Sequence, residues 1–324
     1  MSSAAQAPAF IGELDDGREV AIEIVGAQRA DELAEVIRSA FAARPPVDPP
    51  PPALSETPAS VVALLEHGLG VLASVAGVPA GVILIELEAG SARLARVSVR
   101  PQFQRHGLAT IMIGAVLELL AERGVAEVDL LARREFPQVG AWWRRHGFVV
   151  VGQAPPCEVL ARRVPALSLV PTADDMRELG RRLAGILRPG DVIIASGELG
   201  AGKTTLAQGL GEGLDVAGPV ISPTFVLSRV HPARGVGPAL VHVDAYRLGD
   251  SAELEDLDLD FSLAEAITLI EWGTGVAEGL SDDRLEVDIR RGDDPADETR
   301  VVLLTGVGGR WAGVDLPTTN GASK

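Results

Sequence analysis

The sequence predicts an α/β protein with two different domains in succession. Short apolar or alternating segments, typical of strands, recur along the chain between longer amphipathic segments that are typical of helices. At two places a strand-like segment runs through a glycine-containing turn directly into a helix-like one. With 324 residues, the chain is long enough for two ordinary domains. We place the boundary near Pro165, which gives domains at 1–165 and 166–324, and no internal repeat relates the two.

The composition favours a globular protein of the cytoplasm. With 47% apolar and 23% charged residues, the chain can bury proper cores. The single cysteine, Cys157, excludes an internal disulfide framework and fits a reducing compartment. The first residues lack a basic segment followed by an apolar one, so we expect no signal peptide. No apolar run approaches the roughly 20 residues that would span a bilayer, so we expect no membrane segment.

The net charge of −16 is unevenly distributed. Residues 1–165 carry about four net negative charges and residues 166–324 about twelve. Such a surface repels nucleic acid, because nucleic-acid binding depends on neutralising phosphates. If the protein serves RNA biology, we expect another subunit to hold the RNA. The densest acidic run, Asp250 to Asp260, is interpreted as a solvated helix or loop, with a partner-docking surface as the alternative.

The elements of the first domain follow from their apolar spacing. The helix predicted over 30–44 places Leu33, Val36, Ile37 and Phe41 on one face. The prolines of 44–58 predict an extended segment, because proline cannot donate to a helix or to a sheet ladder. The other predicted elements are strands at 18–25, 70–77, 78–88, 92–99 and 126–132, a helix over 108–123, a short helix around Trp142, and a hairpin of 148–152 with 157–164.

The second domain begins with a helix whose start is marked by a capping box. Thr172 and Asp175 are spaced for reciprocal hydrogen bonds at a helix N-terminus, and the sequence RPG at 188–190 ends that helix. A short apolar strand at 191–196 runs into a glycine loop, and a helix follows over 206–214. Two further strands are predicted within 239–248 and 266–273.

The glycine loop of the second domain has the spacing of a phosphate-binding loop. Residues 197–204, GELGAGKT, match the pattern G-x-x-x-x-G-K-[ST] with an apolar strand before it and a helix after it, as that motif requires. Its glycines let successive N–H groups turn onto phosphate oxygens. Lys203, the sole lysine before the terminal residue in an arginine-rich chain, is expected to supply a mobile point charge. Thr204 is expected to offer its hydroxyl to Mg²⁺.

Two acidic residues are placed to complete a nucleotide site. Asp244 lies at the polar end of one predicted strand, and Glu271 ends the other. A carboxylate at the carboxyl end of a strand beside a phosphate loop can hold Mg²⁺ or order water. Taken singly, each is equally well interpreted as a structural strand-end acid.

The order of the motifs in this half resembles the TsaE family. The sequences GELGAGKTT, SPTFVL, HVDAYRL, ELEDLDLDF and LIEWG follow one another within about 80 residues, and the resemblance covers about 168–310. It implies an ATPase of the machinery that makes N6-threonylcarbamoyladenosine in tRNA, acting with TsaB- and TsaD-like subunits. It also implies that Thr204 and Glu271 share Mg²⁺ and that Asp244 supports the metal or the attacking water. The ATP-binding residues that it implies are Gly197, Gly200, Ala201, Gly202, Lys203, Thr204, Thr205 and Trp272, with Lys203, Asp244 and Glu271 as the catalytic group.

A small-molecule kinase is the alternative for this half, because it would use the same loop. Such a kinase needs an acceptor site and usually a lid with several arginines over the phosphates. The sequence after the loop instead offers acidic residues and the SPTF and EW motifs.

The first domain contains a second candidate anion loop, Gln104 to Ala109, between a strand and a helix. Such a turn directs successive N–H groups toward one point, and Gly107 permits close approach of a pyrophosphate. An ordinary strand–helix turn would look the same. Two sequence motifs, V-x-V-x-P-x-x-Q-R-x-G-L-A and, about 35 residues later, AWWRRHGF, resemble those of the GNAT acetyltransferase superfamily. The resemblance covers about 18–164.

That resemblance implies an acetyl-CoA-dependent N-acetyltransferase domain. The pantetheine would run beside Val97 to Val99 as an added strand, and the residues implied to hold the pyrophosphate are Gln104, Arg105, His106, Gly107, Leu108 and Ala109. The acceptor amine is not indicated by any residue pattern. The five histidines show no metal-ligand spacing, so we expect no zinc site.

Two positions depart from the family pattern. Trp143 stands where a tyrosine usually reprotonates the leaving thiolate, and Phe136 where an asparagine is expected. An indole N–H is a negligible acid. Glu86, Glu88 and His146 remain as candidates for acid–base groups, although each is also interpreted as structural. A non-catalytic acetyl-CoA-binding or docking module is therefore the alternative to an enzyme.

Overall fold

The computed structural model describes residues 10–223, 226–246, 264–274, 276–277, 279–292 and 297–318. The chain divides into two compact units, Met1–Val164 and Pro165–Lys324, and each unit has a sheet of its own. No helix within the described ranges is long and apolar enough to cross a membrane.

The first unit is built on a mixed sheet. Its described strands are β1 Phe10–Glu13, β2 Glu19–Val25, β3 Gly68–Val75, β4 Val78–Glu88, β5 Ser91–Val99, β6 Glu127–Arg133, β7 Val149–Ala154 and β8 Cys157–Arg163. They lie in the order β1-β2-β3-β4-β5-β6-β8-β7. The pair β5 and β6 is parallel, and the other neighbours are antiparallel.

Helices cover both faces of this sheet, namely α1 Ala30–Ala42, α2 Pro58–Leu65, α3 Leu108–Glu122 and α4 Pro137–Arg145. Because side chains alternate along a strand, β3 contributes Val71 to one core and Leu72 to the other. The core that contains Val71 also contains Met112 of α3, and the core that contains Leu72 also contains Leu33 of α1. The sheet is therefore buried on both sides.

The sheet opens between β5 and β6. These strands pair from Ser91 to Leu94 with Glu127 to Leu130, whereas β5 continues to Val99 without β6 beside it. The proline-rich segment is tied to both strands near this opening. Arg44 Nη2 donates to Val97 O at 3.3 Å, and Arg133 Nη1 donates to Pro49 O at 2.7 Å.

The second unit has a sheet with a parallel centre. Its described strands are β9 Ala166–Val170, β10 Val192–Ser196, β11 Ser228–His231, β12 Leu240–Asp244, β13 Ile267–Glu271, β14 Arg284–Arg291 and β15 Arg300–Val307. Their order is β11-β12-β13-β10-β14-β15-β9. Strands β12, β13, β10 and β14 run parallel, so their carboxyl ends lie at one edge.

Helices α5 (Ala173–Ala184) and α6 (Lys203–Gly213) pack against each other in this unit. Their contact requires glycine, since a Cβ on Gly209 would lie 2.1 Å from the carbonyl oxygen of Arg177. Leu179 and Leu183 of α5 and Leu206 and Leu210 of α6 are fully buried in the same core. This packing fixes the start of α6, where the phosphate loop ends.

Several elements were not predicted from the sequence: β1, α2, β9, β11, β14 and β15. The prolines of 44–58 do not keep that whole segment extended, since Pro52–Ser55 forms a 3-10 turn and α2 begins at Pro58. Proline is tolerated at the start of a helix because the N–H groups of the first turn have no acceptor within the helix, so no hydrogen bond is lost. The acidic run Asp250 to Asp260 lies outside the described residues.

Candidate functional site

The phosphate loop joins β10 to α6 through three glycines in left-handed conformations. The φ angles are +140° at Gly197, +77° at Gly200 and +116° at Gly202. Other residues rarely adopt such angles. A Cβ on Gly197 would also lie 2.3 Å from the carbonyl oxygen of Ile289 on the neighbouring strand β14. The loop therefore depends on glycine both for its backbone and for its fit against the sheet.

N–H groups on both sides of Ala201 are available to an anion. In the described part of the chain, those of Gly200 and of Gly202 to Thr205 have no acceptor, whereas Ala201 donates to the carbonyl oxygen of Glu198 at 3.1 Å. Those of the first turn of α6 point outward from the N-terminal end of a helix, where negative charge is stabilised. The side chain of Ala201 is buried, so this residue packs the loop.

Lys203 is held against the loop by two backbone carbonyls and an aromatic ring. Its Nζ donates to Gly197 O at 2.6 Å and to Glu198 O at 3.0 Å, and it lies 3.7 Å from the ring centroid of Trp272. The residue is 5% exposed, and burial lowers the pKa of its ammonium group. The loop carbonyls and the indole face thus keep the charge beside the free N–H groups.

Trp272 reaches this position through an unusual backbone. Its φ is +61°, and its N–H donates to Ala195 O at 2.9 Å on the strand that leads into the loop. The exposed ring of Tyr246 meets the indole edge-on at 5.3 Å. Trp272, predicted as a nucleotide-binding residue, therefore lies beside Lys203.

The two predicted carboxylates lie side by side at the carboxyl edge of the sheet. Asp244 and Glu271 are register partners on β12 and β13, and both are buried. The Thr204 hydroxyl donates to Glu271 Oε1 at 3.0 Å, so the phosphate-loop threonine and this acid meet directly. Asp244 Oδ1 accepts from the N–H of Tyr246 at 3.0 Å. The structure thus brings Thr204, Glu271 and Asp244 to one edge.

Two further residues of this edge were missed in the sequence. His242 is fully buried, with Nε2 2.8 Å from Glu271 Oε1. Its position two residues before Asp244, on the same face of a strand, could have revealed it. Arg291 ends β14, and its Nη1 lies 4.0 Å from where a Cβ on Gly200 would be. No sequence signal pointed to Arg291, because β14 was not predicted.

The oxygen groups at this edge fit a hard divalent cation. The Thr204 hydroxyl and the Glu271 carboxylate are oxygen ligands of the kind that Mg²⁺ prefers. Within the described ranges, no group of three or more His, Cys, Asp or Glu side chains converges as a metal cage. A cation here would take its other ligands from phosphate oxygens and water, as Mg²⁺ usually does in nucleotide sites.

The loop of the first unit also presents free N–H groups at the start of a helix. Gly107 is the N-cap of α3 with φ +81°, and Arg105 has φ +66°. The N–H groups of Arg105 to Ala109 have no acceptor among the residues that the structure describes. The Gln104 amide instead donates to Val99 O at 2.8 Å and so braces the loop against β5.

The β1–β2 turn places two aspartates beside this loop. Asp15 Oδ1 lies 3.0 Å from where a Cβ on Gly107 would be, and Asp16 Oδ2 lies 3.3 Å from His106 Nδ1. The Asp15 N–H also donates to the carbonyl oxygen of His106 at 3.4 Å. Negative charge therefore lies next to the free N–H groups, which weakens their attraction for an anion.

The carbonyl oxygens on the strand edge predicted for pantetheine already accept hydrogen bonds from side chains. Val97 O accepts from Arg44 and Val99 O from Gln104, so both carbonyls have side-chain donors. The Arg44 guanidinium also lies 3.9 Å from the ring centroid of Phe41, and burial lowers its pKa. A pantetheine that pairs with Val97 would have to replace the Arg44 contact.

The side chain at the usual tyrosine position belongs to the core. Trp143 is buried and meets Phe148 edge-on at 4.9 Å. His146 stacks on Trp142 at 3.9 Å, its Nδ1 lies 2.8 Å from Trp142 O, and its Nε2 lies 3.0 Å from Thr110 Oγ1. Burial lowers the pKa of His146. Both ring nitrogens are engaged, which favours the structural interpretation of this histidine.

The two units match two different family models. Residues 170–301 match the model of threonylcarbamoyl adenosine biosynthesis protein TsaE, and residues 33–148 match that of the acetyltransferase (GNAT) family. The tRNA threonylcarbamoyladenosine biosynthesis protein TsaE of Streptomyces coelicolor is 60% identical over 148 residues, which cover 45% of this chain and all of that protein. The protein of the same name from Mycobacterium leprae is 52% identical over 125 residues, which cover 36% of this chain and 78% of that protein.

Among solved structures, the PaiA N-acetyltransferase of Thermoplasma acidophilum in complex with coenzyme A is similar at 14% identity and a TM-score of 0.40. The match covers 44% of this chain and 98% of that one.

The fold and the loop geometry define a mixed-sheet α/β domain followed by a P-loop NTPase-like α/β domain. The chain belongs to the TsaE family and carries a GNAT-family domain in front of its TsaE domain. The predicted fold class and both predicted resemblances are confirmed.

Proposed function

We propose that residues 166–324 form an Mg²⁺-dependent ATP hydrolase that serves the synthesis of threonylcarbamoyladenosine in tRNA. The observation that carries this proposal is the cluster of free N–H groups, Lys203, Thr204 and Glu271 at one end of α6. Its partners would be TsaB- and TsaD-like subunits in the cytoplasm. The family membership favours this function over a small-molecule kinase.

The residues of the site divide the work by position. The N–H groups of Gly200 and of Gly202 to Thr205 would bind phosphate oxygens, and the indole of Trp272 would flank the nucleotide. Lys203 would exchange its contacts with Gly197 O and Glu198 O for phosphate oxygens. Thr204 and Glu271 would hold Mg²⁺, which neutralises phosphate charge when bound. Asp244, on the adjacent strand, would orient the attacking water or a water on the metal.

Separate changes at Thr204 and Glu271 test this assignment. We expect Thr204→Ala to weaken Mg²⁺-dependent ATP binding, because a ligand oxygen is lost. We expect Glu271→Gln to reduce turnover by about 10²-fold or more while ATP affinity changes less, because the amide keeps the shape but not the charge. Fluorescent-nucleotide titration and phosphate release, with TsaB- and TsaD-like subunits present, measure the two effects.

Thr268→Val is the matched control. Thr268 is buried on β13 like Glu271, but it belongs to the opposite face, and its hydroxyl has no partner in the described part of the chain. This control is expected to behave as the wild type. Unchanged Mg²⁺ dependence in Thr204→Ala together with unchanged turnover in Glu271→Gln would refute the site.

For residues 1–165 we propose an acetyl-CoA-binding domain that transfers the acetyl group to an amine. The N–H groups of Arg105 to Ala109 would receive the pyrophosphate, and β5 from Val97 to Val99 would receive the pantetheine. The buried Trp143 leaves no phenol at the usual position, so a non-catalytic acetyl-CoA-binding or docking module is the second candidate.

The charge of the chain predicts that it binds tRNA weakly by itself. About twelve net negative charges in residues 166–324 oppose a polyanion, so we expect weak or absent binding at physiological salt. Filter binding or fluorescence anisotropy with labelled tRNA measures this, with and without TsaB- and TsaD-like subunits. Tight binding of tRNA to the isolated chain, whatever the tRNA sequence, would contradict the proposal that other subunits hold the tRNA.

A further inference from the structure

The Glu271 carboxylate receives two contacts on the same oxygen. The Thr204 hydroxyl donates to Oε1 at 3.0 Å, and His242 Nε2 lies 2.8 Å from that atom. Oε2 has a longer contact with Thr204, at 3.4 Å. Because a carboxylate oxygen can only accept, the imidazole must carry its hydrogen on Nε2. The histidine is therefore a donor to Glu271.

We propose that His242 is the positioning residue of the nucleotide site. Its hydrogen bond to Oε1 fixes the rotation of the Glu271 carboxylate, so that Oε2 stays available to Mg²⁺ at the phosphate loop. This inference rests on the proposed ATP-binding function and adds a residue that sets its metal affinity. His242 acts through Glu271 and does not itself touch the nucleotide or the ion.

Burial makes this contact matter. Glu271 is 3% exposed and His242 is fully buried, so water cannot substitute for a lost donor at Oε1. Both residues lie on strands that pair in parallel register, which leaves little freedom in their separation. Groups that orient a metal ligand in this way are typically worth about 10–100-fold in metal affinity.

His231 separates this role from that of a buried imidazole in general. It lies on β11, next to β12, is 4% exposed, and its ring centroid is 6.3 Å from that of His242. Its Nε2 has no partner in the part of the chain that the structure describes. The two histidines thus share strand environment and burial, but the described contact to Glu271 is made by His242.

The test compares four variants of the full chain: His242→Leu, His242→Gln, His242→Asn and His231→Leu. Glutamine carries its amide N–H₂ at about the reach of Nε2 and can still donate to Glu271, whereas the shorter asparagine cannot. The measurements are the Mg²⁺ concentration at half-maximal binding of a fluorescent ATP analogue and the affinity for that analogue in EDTA. Circular dichroism and thermal unfolding report folding.

We expect His242→Leu and His242→Asn to raise the Mg²⁺ midpoint by about 10–100-fold while the affinity in EDTA stays unchanged. His242→Gln should remain within a few-fold of the wild type, and so should His231→Leu. If His242→Leu does not fold, the comparison of asparagine with glutamine decides. Equal Mg²⁺ midpoints for the folded asparagine and glutamine variants, or a shift in His231→Leu as large as that in His242→Leu, would overturn the inference.

The wild type distinguishes a failure of this inference from a failure of the proposed ATP-binding function. If the wild type binds the nucleotide with a clear Mg²⁺ dependence and His242→Leu and His242→Asn share its Mg²⁺ midpoint, the positioning role fails and the nucleotide site stands. If the wild type binds no nucleotide with or without Mg²⁺, the proposed function fails and the inference fails with it.

Discussion

Replacing Lys203 with alanine is expected to abolish ATP hydrolysis, with a loss of at least about 10²–10³-fold, the scale of losing one key electrostatic group in an active site. Lys203 is the sole lysine of the chain before its terminal residue, and its Nζ lies within hydrogen-bonding distance of two loop carbonyls. In a site sheltered from water, a positive charge beside the phosphates cannot be replaced by solvent. Phosphate release with TsaB- and TsaD-like subunits present is the measurement.

The structure refines the control for this experiment. Lys203 is buried and lies over the Trp272 ring, so alanine removes packing as well as charge. Lys203→Met keeps the length of the aliphatic stem and removes only the ammonium group, with its charge and its hydrogen bonds to the two loop carbonyls. We expect both variants to fold, because α6 begins at this residue and both replacements favour a helix. A Lys203→Met protein that hydrolyses ATP at the wild-type rate would show that the site is wrongly assigned.

The phosphate loop was accessible to prediction because its chemistry is local. The glycines at 197, 200 and 202 are required by their own positive φ angles, and Lys203 and Thr204 follow directly in the first turn of α6. Asp244 and Glu271 could be placed beside the loop because both end apolar strands. Neighbouring parallel strands bring such ends to one edge of a sheet.

The residues that were missed depend on which strands become neighbours. His242 acquires its role from the register of β12 against β13, which sets its Nε2 against Glu271. Arg291 lies near Gly200 because β14 pairs with β10. Asp15 lies near Gly107 because a four-residue strand, β1, precedes it, and so short a strand leaves no periodic pattern to read. Which strands pair is determined by tertiary contacts and not by the local propensity of each segment.

The departure at Trp143 also has a physical explanation in the fold. Its ring fills the core between α4 and Phe148, so a large apolar side chain is compatible with folding at that position. From the sequence alone, Trp143 was interpreted only as the loss of an acid. Loss of a catalytic phenol and retention of a packed domain are therefore separate matters, and cofactor binding has to be tested apart from turnover.

Gly107→Glu is expected to abolish acetyl-CoA binding to the first domain. With φ at +81°, any side chain at this position strains the backbone, at a cost of about 1–2 kcal/mol. A Cβ here would already meet Asp15 Oδ1 at 3.0 Å, and a third carboxylate would join those of Asp15 and Asp16 beside the free N–H groups. Isothermal calorimetry with acetyl-CoA on the full chain measures the loss.

Two variants separate the reasons for that loss. Gly107→Ala shares the backbone strain and the approach to Asp15 but adds no charge, so we expect it to retain weakened binding. Asp15→Asn removes one negative charge near the loop and should raise the affinity a few-fold, because like charge opposes the pyrophosphate. ATP binding to the same samples shows that the second domain is intact.

Equal affinities in the wild type and Gly107→Glu would exclude the loop as the pyrophosphate site. A wild type that binds acetyl-CoA yet acetylates none of a broad panel of amines would favour the non-catalytic module. Failure to bind acetyl-CoA at millimolar concentration would contradict both versions, since each requires the N–H groups of Arg105 to Ala109 to hold the same anion.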